Sequence, residues 1–279
     1  MATVSTQKVG AAERSGVLDP SNLERFAARR FIAGADVRDV IDTYWTVEWH
    51  LAEGETIDQQ IIDHPSITLS IERGHVLAPF VVSAVRAKAW RRVISGSGDV
   101  FALRLRPAGL AVLTDMDPST LTGERPITAA ADGRAYRLLE AIAEMPSATS
   151  RAQRAGEIIR DHLRERPLTD QQRLANAALD LLTEQPRVRP VSDVAQALRT
   201  SPRTLQRAIG STLGRGPAEV ARRVRLQEVV RRLSSQHSSI ANIATDLGYT
   251  DQAHLTNEFR AVTGMTPGSY LAGLLAGEH

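Results

Sequence analysis

"VSDVAQALRTSPRTLQRAIGSTLGRGP" (191–217) and "IANIATDLGYTDQAHLTNEFRAVTGMTP" (240–267) are two copies of one pattern. Val191, Val194, Ala195 and Leu198 match Ile240, Ile243, Ala244 and Leu247 at an offset of 49, whereas Leu205, Gly214 and Pro217 match Leu255, Gly264 and Pro267 at an offset of 50. The extra residue falls at a turn. Each copy predicts a short helix, a tight turn, a second helix and a glycine stop, which is a helix-turn-helix. Ala195 and Ala244 are small enough for the two helices of a unit to approach closely. Ser201 before Pro202, and Thr250 before Asp251, fit an N-cap and the first helical residue. Gly214 and Gly264 stand where a left-handed residue ends a helix. On the second helices Leu205, Ala208 and Ile209, and Leu255, Phe259 and Val262, fall on one face and are expected to be buried. The opposite faces present Arg203, Gln206, Arg207 and Gly210 in the first copy. In the second they present Gln252, Ala253, Thr256, Asn257 and Arg260.

The charge around the repeat is uneven. The chain of 279 residues has a formal net charge of only +2, yet nine arginines (199, 203, 207, 215, 222, 223, 225, 231 and 232) lie between 199 and 232 against two acids, Glu219 and Glu228. A concentrated arginine field is the footprint of a polyanion-binding surface, and equally of a solvated helix face. Upstream, "DQQRLANAALDLL" places Leu174, Ala178, Leu181 and Leu182 on one side of a further helix.

The front of the chain has a different period. In "YWTVEWHL" Trp45, Val47, Trp49 and Leu51 alternate with Tyr44, Thr46, Glu48 and His50, as on a half-buried strand. In "FALRLRP" Phe101, Leu103 and Leu105 oppose Ala102, Arg104 and Arg106. Glycines and prolines punctuate the runs from about Ile41 to Leu105 without helical crossovers, so an antiparallel sheet, sandwich or small barrel is expected. Trp45 and Trp49 share a strand face and read as core; Arg104 and Arg106 read as a solvated outer face, with an anion pocket as the alternative. Beyond Gly133, "AYRLLEAIAEM" and "RAQRAGEIIRDHLRER" read as two amphipathic helices joining the halves. The fold class is therefore α+β, divided as a disordered start (1–18), a β-rich domain (19–132), a helical connector (133–167) and an all-α domain with two helix-turn-helix units (168–279).

"GYTDQAHLTNEFRAVTGMTPGSYL", together with the first copy and "RRVRLQEVVRRL" (222–233), resembles the DNA-binding domain of AraC/XylS-type transcription regulators over roughly 168–271. "GYTDQAHL" and "FRAVTGMTPGSY" stand where that family has its glycine–aromatic turn, second recognition helix and Gly-x-x-Pro ending, and 222–233 resembles its linker helix. The sequence departs from the family at Asn257 and Leu271, where arginine is usual, and it sets an acid, Glu258, on the second recognition helix. These departures weaken the readout expected from the second unit. The front half is similar, at lower specificity, to the cupin-like sensor region of some members.

The resemblance implies base contacts from Arg203, Gln206 and Arg207, and from Gln252, Ala253, Thr256 and Asn257. Arginine and glutamine suit this role because each can bond bidentately to guanine or adenine edges in the major groove. Phosphate contacts are expected from Ser201, Arg215, Arg222, Arg223, Thr250 and Arg260. The partners implied are double-stranded DNA, a small-molecule effector of no assigned site, a second copy of the chain and, for an activator, RNA polymerase.

Other chemistries have little support. No Gly-rich phosphate loop, G-x-S-x-G or His-Glu-x-x-His occurs, so no catalytic residue or cofactor is expected. His254 has Glu258 at i+4 but no second histidine near it, and His50, His64 and His75 are scattered; no metal is expected. With no cysteine, no apolar run of membrane-spanning length and no signal-peptide core at the start, a cytoplasmic protein is expected. Two rival readings are a binding or catalytic β-barrel with an accessory helical tail, and a protein-interaction adaptor without base readout.

Overall fold

The computed structural model describes residues 6–8, 16–235 and 238–276. Among the described residues nine strands form two antiparallel sheets. The larger contains β1 (Thr6–Lys8), β2 (Ala27–Ile32), β3 (Ile41–His50), β5 (Thr68–Arg73), β6 (Phe80–Ser83), β8 (Ser97–Leu105) and β9 (Glu124–Pro126), in the order β1-β2-β3-β8-β5-β6-β9. The smaller pairs β4 (Thr56–Ile61) with β7 (Trp90–Ser95). Gly96, at φ 58°, lets the chain leave β7 and enter β8, so one continuous run serves both sheets.

The period-two pattern buries both faces of the large sheet. Tyr44, Leu69, Phe101 and Leu103 point to one side. There they meet Leu138, Leu139 and Ile142 of α2 (Gly133–Ala143) and Ala152, Ala155 and Ile159 of α3 (Ala148–Glu165). The alanines of α3 allow its backbone to lie close to α2 and to α1 (Gly109–Leu113). The expected connector is thus a layer of the front domain. Trp45, Val47 and Trp49 point the other way, toward the small sheet. As expected, Trp49 is buried in a small core with Val100 and Ala102, and Trp45 packs against it half-buried; both also border a cavity between the sheets.

The expected disordered start is corrected in part. Thr6–Lys8 pairs with β2, and Leu18 donates its backbone N–H to Gln60 O at 3.0 Å. Gly16 makes this possible: at φ 65° its Cα faces Ile62 O, and a Cβ there would lie 2.0 Å from that oxygen. The rest of 1–15 lies outside the described residues.

After a one-turn helix α1 (Gly109–Leu113) and the α2–α3 pair, the chain is helical: α4 (Asp170–Glu184), α5 (Val191–Ala197), α6 (Pro202–Leu213), α7 (Pro217–Ser234), α8 (Ile240–Asp246), α9 (Gln252–Thr263) and α10 (Pro267–Ala276). The buried stripe of α4 is Ala175, Ala178, Leu179 and Leu182, not the expected one through Leu174 and Leu181. Leu205, Ile209 and Leu213 of α6 share a core with α4, α5 and the first half of α7 (Val220, Val224). That core is continuous with the one beneath the large sheet. The second unit has its own core, built from Leu226, Val229, Val230 and Leu233 of α7 with Ile243, Ala244, Leu247, Leu255, Phe259 and Val262. Leu18 and Ile62 of the front domain enter it too. Among the described residues no helix is long and apolar enough to cross a membrane.

Candidate nucleic-acid interface

The two units turn in the same way. Thr200 N donates to Ala195 O and Tyr249 N to Ala244 O, each at 2.9 Å, across a left-handed residue: Arg199 at φ 52° in the first turn, Gly248 at φ 75° in the second. The residue that shifts the offset is Thr250. Ser201 caps α6 by accepting from Thr204 N, as expected, but the cap of α9 is Asp251, which accepts from His254 N at 2.7 Å. The expected cap at Thr250 is therefore one residue early, and Thr250 sits exposed just before the helix. Gly214 and Gly264 end α6 and α9 in left-handed conformations, φ 67° and 82°.

Capping leaves the outer faces of α6 and α9 open. Arg203, Gln206 and Arg207 are exposed on α6; Gln252, Ala253, Asn257 and Arg260 are exposed on α9, with Thr256 half-buried between them. Gly210 continues the first row, and a Cβ there would meet nothing within 4 Å. Gln171 of α4 holds α6 beside Arg207, donating to Ser211 Oγ at 2.7 Å and to Arg207 O at 3.4 Å. His254 is exposed and packs edge-on against Tyr249, with ring centroids 5.2 Å apart, so it supports the turn.

The arginine field is mostly turned inward. Arg225 is buried, 3.0 Å from Glu258, and lies over the Tyr249 ring. Arg222 leans on the same carboxylate at 3.6 Å. Arg231 and Arg232 flank Glu228 at 2.7 and 2.9 Å. Arg215 donates twice to Val85 O, at 3.0 and 2.9 Å. Arg223 is 3% exposed; it donates to Asp63 O and Lys88 O and pairs with the Asp63 carboxylate. Burial pushes its guanidinium pKa down to about 10. The expectation that Arg223 touches phosphate is corrected, because the front domain covers it. Glu258 is corrected as well: it faces α7 and Tyr249, not the outer row of α9.

Both units are fastened to the front domain. Gly214 abuts Pro118 O, where a Cβ would lie at 2.2 Å; the matching Gly264 has nothing within 4 Å. On the second unit Val262 O accepts from Ala89 N at 2.9 Å. Gln227 of α7 donates to Ile62 O at 2.8 Å. Arg106, expected on a solvated face, forms a two-pronged pair with Asp180 of α4 at 2.5 and 2.7 Å.

Between the two sheets lies a cavity of about 250 Å³, which sequence reasoning missed. Trp45, Trp49 and Trp90 line it, with Gln59, Arg104 and, from α7, Gln227. At one end Arg92 joins Glu72 at 2.9 Å and Glu124 at 3.0 Å, and Trp90 Nε1 donates to Glu124 at 2.9 Å. Arg104 is paired with Asp42.

Residues 194–273 match a family described as a helix-turn-helix domain. Over 80 residues the chain is 35% identical to proteins of Streptomyces lividans and Streptomyces antibioticus described as AraC-like transcription regulators. Residues 194–273 thus carry a helix-turn-helix domain. The segment matched to the relatives is 29% of this chain and 26% of each of them, so the chain spans about a quarter of their length. Residues 29–126 match a second family, described as a domain of unknown function, DUF6597, which ends before α2. Among solved structures, ToxT from Vibrio cholerae O395 is similar at a TM-score of 0.42 and 12% identity, covering 83% of this chain and 98% of that one. A second crystal form of ToxT gives 0.45 and 10%, covering 82% and 98%.

Proposed function

We propose that the chain is a sequence-specific transcription regulator that binds double-stranded DNA through α6 and α9 and senses a small molecule with its front domain. The observation that carries this reading is the pair of outward rows at equivalent repeat positions on two capped helices, whose side chains make no hydrogen bond or ion pair among the described residues. Arg203, Gln206 and Arg207 would read bases in one major groove. Gln252, Ala253, Thr256 and Asn257 would read the next, with α7 setting the spacing near one helical turn of DNA. Asn257 can bond adenine bidentately, so the missing family arginine changes the base read without abolishing readout.

Ser201, Thr250 and Arg260 are exposed and would contact phosphate, with the exposed Arg199 as a further candidate. Arg215 and Arg222 are half-buried on partners of their own, so they would contribute only by exchanging those partners. No catalytic role is assigned to any residue. A second copy of the chain and, for an activator, RNA polymerase would be the protein partners of such a regulator. One chain already carries two reading heads.

Replacing Arg207 by alanine tests the assignment. Binding to a selected site should fall by about 1–3 kcal/mol, with preference relaxed at one base pair only. A uniform loss across all sequences would reassign Arg207 to phosphate, and no change would remove it from the interface.

A further inference from the structure

The chain contains three tryptophans, and all three line the cavity between the sheets. Three ring pairs lie elsewhere: Tyr44 with Phe101, Phe80 with Tyr136, Phe259 with Tyr270. Among the described residues the tryptophans form no ring pair, and Arg92 lies over the Trp90 ring at 5.3 Å. Trp49 and Trp90 hold their indole N–H groups on Ser95 O and Glu124, which fixes their rings while leaving ring surface toward the cavity. Val47, Ile94 and Val100 complete a largely apolar wall.

The polar groups define the rest of the ligand. Arg92 is shared between Glu72 and Glu124, Arg104 is held by Asp42, and Asp63 is held by Arg223. Each of these lining charges is already neutralised, so a charged ligand would lose its hydration and gain no free counter-charge. Gln59 is different. It is 4% exposed, lines the cavity, and its Oε1 has no hydrogen-bond partner among the described residues. A buried acceptor without a partner asks for a donor from a bound molecule. At about 250 Å³ the space falls just under the ~300–1,000 Å³ of pockets for drug-sized ligands, which suits one or two fused rings.

From these observations we propose that the cavity binds a small, flat, uncharged aromatic molecule that stacks on the tryptophans and donates a hydrogen bond to Gln59. The inference rests on the reading of the front domain as the sensing half, and it adds a route. Gln227 lines the same cavity and donates to Ile62 O, one turn of α7 from Arg223 on Asp63. Occupancy of the cavity therefore bears directly on the helix that spaces the two reading heads.

The test uses the full chain and three non-fluorescent quenchers of tryptophan: 4-nitrobenzyl alcohol (neutral, with a donor), 4-nitrotoluene (neutral, without one) and 4-nitrobenzoate (an anion). Saturable quenching by the alcohol is expected. It should be about threefold to tenfold tighter than for nitrotoluene, the span of one net hydrogen bond, and at least about tenfold tighter than for the benzoate. In Gln59→Leu, checked for folding by its thermal transition, the advantage of the alcohol over nitrotoluene should vanish while nitrotoluene still binds. Equal or tighter binding of the benzoate overturns the proposal, and so does quenching that never saturates with any of the three. An alcohol advantage that survives Gln59→Leu overturns the role of Gln59. DNA selection by the same protein without ligand is a separate readout. Selection with no ligand binding defeats only this inference, whereas no selection defeats the regulator reading.

Discussion

Glu258 Oε1 lies 3.0 Å from Arg225 Nη2, and Tyr249 Oη donates to the same oxygen at 2.8 Å. The pair joins α9 to α7, with both side chains largely out of solvent and the Arg225 guanidinium 5.1 Å from the centre of the Tyr249 ring. An acid that looks misplaced on a DNA-reading helix is a bolt holding that helix to its support.

Glu258→Ala should cost about 3 kcal/mol, because Arg225 would be left buried without its counter-charge. Tyr249→Phe should cost about 1 kcal/mol, one hydrogen bond. Urea unfolding of the purified variants gives both numbers. A stable Glu258→Ala variant with tighter DNA binding would mean that Glu258 faces the duplex after all.

Gly214 and Gly264 hold equivalent places in the repeat, and their alanine variants should differ. Gly264→Ala meets only the left-handed backbone penalty, about 1–2 kcal/mol. Gly214→Ala meets the same penalty and also drives a methyl group into Pro118 O. It should cost clearly more and loosen the first unit from the front domain, seen as faster amide exchange around α6. Equal costs would mean that the docking at Pro118 is absent in solution.

Salt dependence separates exposed arginines from inward ones. Arg260→Ala should lower the magnitude of the slope of log K against log salt by about 0.9, the loss of one phosphate contact. A variant that keeps the slope would remove Arg260 from the phosphate row. Arg231→Ala should leave the slope unchanged, because Glu228 holds that guanidinium on the protein.

His162 of α3 gives a pH signature. Burial lowers its pKa below the usual histidine range, with the nearby Arg134 and Arg166 charges acting in the same direction. Below about pH 6.5 the unfolded chain takes up this proton more readily than the folded one. The contribution is therefore whole above that pH and is lost as pH falls toward the folded pKa. His162→Gln should flatten the fall in stability that sets in below about pH 6.5 in denaturant titrations.

Much of the fold was legible because it rests on local chemistry. Ser201, Pro202, Gly214 and Gly264 mark helix ends by backbone geometry alone, and Leu255, Phe259 and Val262 mark a buried face by spacing alone. What failed depends on a second surface. The arginines of α7 look like a polyanion footprint until the front domain is laid over Arg223 and α9 over Arg225. Trp45 and Trp49 are core, as strand alternation implies, but alternation does not tell that their face also borders a cavity. Gln59, Trp90 and Gln227 lie far apart in the chain, and only strand register and the docking of α7 bring them together.

The most direct measurement of the central claim is selection from a random double-stranded DNA library by the full chain at moderate salt, followed by sequencing of what is retained. Two reading heads predict a bipartite motif whose halves lie about ten base pairs apart, one half changing with substitutions at Gln206 and Arg207, the other at Gln252 and Asn257. Retention of DNA without any shared motif would contradict sequence-specific reading by α6 and α9.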